Sequence, residues 1–298
     1  MTTILLTGRM GQTGWELQRA LAPLGKVHAL DRIQMDLSNA DSIRRSIREA
    51  QPEIIVNAAG FTTVDKVETE PELALQINSI APGIMAEEAK RIGVPLVHYS
   101  TDYVYDGTQN RPYTEDDAPN PLNAYGKSKL AGERAIQEVG GTYVILRTSW
   151  VYSARRSNFV LAILRLAREK PVLSVVDDQV GSPSWARALA ESTADLLRKR
   201  HLIHNHAGIY HLSASGQTSR YEFAREIIRI MKEISGVKSG WAEITPITSD
   251  QYQPPLPARR PLSPVTDKNK IKRAFGIEMP DWESQLRSFL PELAASIT

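Results

Sequence analysis

A single rhythm constrains this chain more than any other feature. Short runs rich in Ile, Val and Leu alternate with stretches of helical period through the first half of its 298 residues. Thr3–Thr7, Lys26–Leu30, Glu53–Asn57, Val94–Tyr99 and Thr142–Arg147 each read as a buried strand. Helices are expected from Trp15, from near Ser38–Asn39, over Pro71–Ile92 and over Ala124–Glu138. Strands separated by a helix pair in parallel after a crossover, and a parallel sheet is covered on both faces. The expectation is therefore an α/β fold, a doubly wound parallel sheet with its helices in two layers.

Ligands of such sheets gather beyond the carboxyl ends of the strands. The first strand runs into Gly8-Arg9-Met10-Gly11-Gln12-Thr13-Gly14, three glycines spaced three apart at a strand-to-helix turn. Backbone without side chains can approach a diphosphate there, and the next helix aims its N-terminus at it. The spacing is G-x-x-G-x-x-G, not the commonest dinucleotide fingerprint, but its setting makes it a candidate dinucleotide site of Rossmann type. Asp31, at the end of the second strand, is placed to accept from a ribose diol, which suits NADH. Its neighbour Arg32 could face a 2′-phosphate, which suits NADPH. Asp36-Leu37 is expected to border the adenine. Ala58-Ala59-Gly60, after the third strand, leaves room for the cofactor, although close packing alone also explains such small residues.

The fourth strand ends in Ser100-Thr101-Asp102, and a helix carrying Tyr125-Gly126-Lys127-Ser128-Lys129 follows. Tyr125 and Lys129 stand four apart, so both emerge on one helix face. A free phenol has a pKa near 10 and is a poor acid at neutral pH. An ammonium about 5 Å away, at an effective dielectric near 20, favours the phenolate by roughly 3 kcal/mol, or about 2 pKa units. By itself Tyr-x-x-x-Lys is an ordinary amphipathic face; the Ser/Thr strand end and the glycine turn make it a candidate general acid.

Composition removes other classes. Net charge is +2, from 36 basic against 34 acidic residues without long runs of one sign, which gives no electrostatic case for nucleic acid or an anionic membrane. The chain has no cysteine, which excludes disulfides, thiolate metal sites and thiol nucleophiles. No apolar run approaches a membrane span and Met1-Thr2-Thr3-Ile4 leads straight into a strand, so a cytoplasmic protein is expected. His201, His204 and His206 sit in a loop-like stretch without an ordered acid and read as solvated. Ser128 stands in no G-x-S-x-G elbow. After Tyr152 the rhythm loosens: helices are expected over Asn158–Glu169, up to Lys199 and over Ser219–Ile234, a strand over Gly208–Leu212, and a last helix from Asp281. Residues 1–152, with roughly 176–205, form the expected nucleotide-binding domain; roughly 153–175 and 206–298 form a smaller C-terminal α/β substrate lobe. The proline-bound loop 254–261 carries Arg259 and Arg260, which suit phosphate or a solvated face equally.

Together the glycine turn, Asn57-Ala58-Ala59-Gly60, Ser100-Thr101 and Tyr125-x-x-x-Lys129 resemble the extended short-chain dehydrogenase/reductase family. The stretches Ser100–Gly107, Arg147–Tyr152 and Ala258-Arg259-Arg260-Pro261 narrow the resemblance to the dTDP-4-dehydrorhamnose reductases, over nearly the whole chain. The resemblance implies NADPH or NADH as cofactor, held by Gly11-Gln12-Thr13, Asp31, Asp36-Leu37, Gly60-Phe61-Thr62, Tyr99, Tyr125 and Lys129, and a nucleotide-sugar substrate held by Thr101, Asp102, Tyr103 and Trp150. It further implies Tyr125 as proton donor, Thr101 on the ketone oxygen and Lys129 on the nicotinamide ribose, and it tips Arg259 and Arg260 towards the substrate diphosphate. Some relatives dimerise around Mg²⁺ held by three glutamates. Glu16 and Glu292 match two of these, but Arg187 stands at the third, so no metal is expected, and the chain is a monomer or a metal-independent homodimer. Two other readings stay open: a non-catalytic nucleotide-binding partner like the regulatory subunit of methionine adenosyltransferase, and a sugar-nucleotide epimerase or dehydratase of the same fold.

Overall fold

The computed structural model describes residues 2–237 and 239–295, so Lys238 and the last three residues of the expected substrate lobe lie outside it. Among the described residues the central sheet has six strands, all parallel: β1 (Thr2–Thr7), β2 (Gly25–Leu30), β3 (Ile54–Asn57), β4 (Leu96–Thr101), β5 (Tyr143–Thr148) and β6 (Gly208–His211). Their order is β6-β5-β4-β3-β1-β2, so the chain winds outward in both directions from the β1/β3 junction. The strand β6, expected in the smaller lobe, instead pairs with β5 and forms the sheet's edge.

Alternate residues of each strand serve opposite faces, as a pleat requires. Ile4, Leu6, Val56, Val97 and Leu146 pack on α1 (Gln12–Leu21), while Leu5, Ile55 and Ile145 pack on α2 (Ala40–Ala50), α3 (Ala81–Ile92) and α4 (Ala124–Val139). The long helix expected over 71–92 is present with a π-helical segment at Gln76–Ile80, a local widening that recurs at functional sites. Asn39 caps α2 and Asn123 caps α4, each accepting first-turn amides through its side chain.

Beyond β5 come α5 (Phe159–Glu169), α6 (Ala186–Arg198), α7 (Arg220–Ser235) and α8 (Trp282–Ala295). Val172–Val176 and Glu243–Ile247 pair in parallel as a separate small sheet. Phe223, Ile227, Leu286 and Phe289 of this region share one continuous apolar cluster with the α1 face of the main sheet. Among the described residues no helix is long and apolar enough to cross a membrane.

Candidate active site

The glycine turn has the shape a diphosphate requires. Gly8 lies at φ +76° against the end of β3, where a Cβ would stand 2.8 Å from the Ala58 carbonyl oxygen; a Cβ on Gly14 would stand 2.0 Å from the Gly8 oxygen. Only glycine permits that closeness. Gly11 opens α1 without a side-chain cap, so the first-turn amides are left for a ligand. Met10 and Trp15 are exposed beside the turn, and Gln12 reaches across to Ser153 and Asn158. These features fit a nicotinamide dinucleotide.

Asp31 is more engaged than its place in the sequence suggests. One oxygen takes Nε and Nη2 of Arg9 (3.1 and 2.7 Å), and the other takes the amides of Ile33 and Gln34. These contacts outweigh desolvation and hold the carboxyl below its ordinary range. Arg9, inside the glycine turn, is thus the guanidinium beside Asp31, while Arg32 is exposed. Asp36 accepts from the amide and hydroxyl of Ser38, and Leu37 is buried in the second core, so both do structural work at the sheet edge. Phe61 is fixed by Asn78, which accepts from its amide (2.8 Å) and donates to its carbonyl (3.0 Å); Thr62 is exposed. Asn78 lies in the π-helical segment and donates also to Ser128, tying the 58–62 loop to the tyrosine helix.

Thr101, Asp102, Tyr103 and Tyr125 are buried together where β4 ends. The Thr101 hydroxyl donates to Asp102 (3.1 Å) and accepts the Tyr103 amide (3.2 Å), and Ser149 donates to the other Asp102 oxygen (2.6 Å). Burial raises the Asp102 carboxyl to about 6 against these hydrogen bonds. Tyr103 and Tyr125 meet edge to face, centroids 5.9 Å apart. Burial pushes the Tyr125 phenol upward, Asp102 and Tyr103 push it the same way, and a hydrogen bond with Thr101 opposes them.

Here the expected tuning by Lys129 gives way to another arrangement. Lys129 is buried, its Nζ donating to the Tyr99 carbonyl (2.7 Å) and lying 3.1 Å from His98 Nε2, and burial lowers its own pKa to about 8. Its nitrogen serves β4 and not the phenol. The Tyr99 ring is turned the other way, into the α1 face of the core, with its hydroxyl on Thr193.

Trp150 takes a left-handed backbone (φ +44°), a strained conformation for an aromatic residue. Its indole is packed on Gly181, where a Cβ would stand 2.5 Å from Cε2, and lies 4.1 Å from the Arg220 guanidinium. Arg220, at the start of α7, also donates to Gln179 and hydrogen-bonds Tyr103. Sequence reasoning missed Arg220 and Gly181, which carry no motif of their own. The Arg259–Arg260 loop docks on residues around the tyrosine helix: Asn123, its cap, donates to the Arg259 carbonyl (2.8 Å), and Arg260 forms an ion pair with Asp65 (2.7 Å). Arg260 is therefore committed, whereas the exposed Arg259 side chain has no polar partner among the described residues. Arg187 bridges Glu16 and Glu292, a cation standing between two carboxylates.

Residues 1–295 match the family model described as RmlD substrate binding domain. A dTDP-4-dehydrorhamnose reductase of Burkholderia thailandensis is 44% identical over 94% of this chain and 95% of its own. One from Escherichia coli K12 is 42% identical over 97% of each. Among solved structures, a dTDP-4-dehydrorhamnose reductase of Clostridium acetobutylicum superposes with a TM-score of 0.90 at 33% identity, covering 98% of this chain and 100% of that one. The Bacillus anthracis enzyme in complex with NADP gives 0.87 at 34% identity over the same shares.

Proposed function

The chain belongs to the RmlD substrate-binding-domain family of dTDP-4-dehydrorhamnose reductases, and we propose that Tyr125 is its proton donor, Thr101 its partner on the reacting oxygen, and Trp150 with Arg220 and Arg259 its sugar-nucleotide subsite. The enzyme is an NAD(P)H-dependent oxidoreductase that reduces the C4 ketone of dTDP-4-dehydro-L-rhamnose to dTDP-L-rhamnose. The observation that carries the residue roles is the buried cluster of Thr101, Asp102, Tyr103 and Tyr125 at the end of β4.

The glycine turn, Asp31 and Lys129 would hold a nicotinamide nucleotide, which would supply the hydride. The chain's own residues handle the proton and the charge. Tyr125, its phenol pushed upward by burial, stays protonated at neutral pH and has a proton to give. An alkoxide is far more basic than any phenol, so transfer to the C4 oxygen runs downhill once charge develops there. In the resting site the one proton of the Thr101 hydroxyl is on Asp102; turned to Tyr125 as the phenol gives its proton up, it favours the phenolate left behind. Asp102 and Ser149 orient Thr101 from behind. Trp150 and Arg220 offer an aromatic face and a guanidinium for base, sugar or diphosphate.

A non-catalytic partner would need no buried tyrosine held protonated against a threonine. A dehydratase would need a free acid/base pair beside Thr101, and Asp102 is already engaged by Thr101 and Ser149. The same reading carries a cytoplasmic location, a nucleotide sugar as partner without nucleic acid, and a monomer or metal-independent homodimer. A coupled assay with dTDP-4-dehydro-L-rhamnose, following NAD(P)H absorbance, tests it. Absorbance that stays constant with both cofactors would remove the reductase reading and promote the partner reading.

A further inference from the structure

Thr7 on β1, Asn57 on β3 and His98 on β4 are register partners, one row across the sheet's carboxyl edge. All three are buried, and hydrogen bonds link them into a line ending on Lys129. The direction of these bonds is set at the β1 side. The Ala59 amide can only donate, and it reaches Asn57 Oδ1 (3.2 Å) and Thr7 Oγ1 (3.3 Å); the Thr7 hydroxyl donates to the same Asn57 atom (2.6 Å). That atom is therefore the amide oxygen, and the amide nitrogen faces His98 Nδ1 at 2.9 Å. An amide N–H donates, so Nδ1 accepts, and the one proton of a neutral imidazole sits on Nε2. Nε2 lies 3.1 Å from Lys129 Nζ. A proton there requires a lone pair opposite, and an ammonium has none.

We propose that His98 is a positioning residue that holds Lys129 as a neutral amine in the free protein, through an Nε2–H tautomer fixed by Asn57. As an amine, Lys129 accepts from His98, donates one N–H to the Tyr99 carbonyl, and keeps the other for the cleft beside Gly60, where a Cβ would stand 4.0 Å from Nζ. The amine and its His98 contact belong to the alkaline side of the Lys129 titration; taking a proton from solvent to form the ammonium on the acid side breaks that contact. The row moves no proton itself, because an amide N–H hydrogen-bonds but is far too weak an acid to be passed on.

The groups around Lys129 agree. His98 and the Tyr99 carbonyl face it from β4, Glu133 and Tyr125 share its helix, and the loop after β3 presents uncharged Gly60. Glu133 favours the ammonium but is itself paired with Arg147 of β5, which weakens it as a counterion. Burial is the larger influence and works against the charge on Lys129; burial also pushes His98 well below its ordinary value, and an ammonium on Lys129 pushes it the same way, so the ring stays neutral in either state of the lysine. The functional meaning rests on Lys129 belonging to the reductase site: a lysine that changes charge near working pH gates how the cleft holds a ribose hydroxyl. The tautomer itself does not rest on that reading.

Long-range proton–nitrogen correlation spectra of the nitrogen-15-labelled free protein read both imidazole nitrogens, with the His98 ring identified by its loss in His98→Gln. Between about pH 6 and 9 the ring should stay neutral, Nε2 protonated and Nδ1 bare. Its signals should step once, near the Lys129 titration at about 8, and the step should vanish in Lys129→Met. Asn57→Asp keeps an acceptor for Ala59 and turns a second one to His98. It should move the ring proton to Nδ1 and raise the Lys129 titration by about one unit or more. An Nδ1–H tautomer or a doubly protonated ring in the wild-type spectra overturns the proposal, whether or not Asn57→Asp folds. Neither nucleotide nor sugar is present, so this result and that of the coupled assay stand or fall separately.

Discussion

Glu133→Gln tests the polar core on which the tyrosine helix is seated. Glu133 is fully buried one turn beyond Lys129 and accepts from Arg147 Nε (2.9 Å), Arg147 Nη2 (2.6 Å) and the Ser100 hydroxyl, while Arg147 is only 2% exposed. Glutamine keeps one acceptor oxygen and turns an amide N–H towards a donor. It also leaves the Arg147 charge buried without a counter-charge, its side-chain acceptors being the glutamine oxygen and the Tyr105 hydroxyl (2.6 Å). Breaking a buried pair on one side destabilises by about 3–5 kcal/mol. Unfolding entropy of about 2.1 cal/mol/K per residue gives roughly 0.6 kcal/mol/K for 298 residues, so Tm should fall by about 5–8 °C. Scanning calorimetry measures this directly. The double variant Glu133→Leu/Arg147→Met leaves no charge behind and should recover at least about half of the loss. A single-variant drop below about 2 °C, or a double variant no more stable than Glu133→Gln, would refute the claim that the uncompensated charge sets the loss.

Tyr125→Phe should abolish nearly all turnover while cofactor affinity changes little, because only the donated proton is removed; retention of more than about a tenth of kcat, an effect of ~1.4 kcal/mol or less, would rule it out as the acid. The Asp102 carboxyl, raised to about 6, makes the folded state bind more protons than the unfolded chain between the two pKa values, so its unfavourable contribution is absent below the unfolded value and complete above 6. Asp102→Asn should therefore stabilise the protein by about 2–3 kcal/mol near pH 8 but not near pH 4, and equal thermal shifts at both would contradict this. Arg259→Ala should raise KM for the sugar nucleotide by about ten- to a hundredfold at saturating cofactor, from a guanidinium–phosphate contact of roughly 1.5–3 kcal/mol. Arg260→Ala should lower Tm, because it releases the loop from Asp65; a wild-type KM in Arg259→Ala would make Arg259 a solvated side chain.

Where sequence period and local chemistry coincide, the chain was readable by itself. Thr3–Thr7 and Thr142–Arg147 lie within one residue of β1 and β5, because a run of buried apolar residues bounded by turns has one stable use in an alternating chain. The glycine turn was equally plain, since close backbone approach leaves glycine as the only choice at Gly8 and Gly14. The Tyr125/Lys129 helix and the Ser100-Thr101 strand end followed from helical spacing and strand polarity. Tertiary structure alone decided where the side chains at that edge point. Spacing puts Lys129 on the tyrosine's helix face, but His98, brought alongside by strand order, holds its nitrogen. Arg9 meets Asp31, and Asp65 takes Arg260 across 195 residues of chain. Arg220 meets a Trp150 indole whose place against Gly181 a Cβ there would deny it. Burial then sets the charge of Lys129, Asp102 and Tyr125, and burial depends on every element packed around a group, which no local pattern of residues encodes.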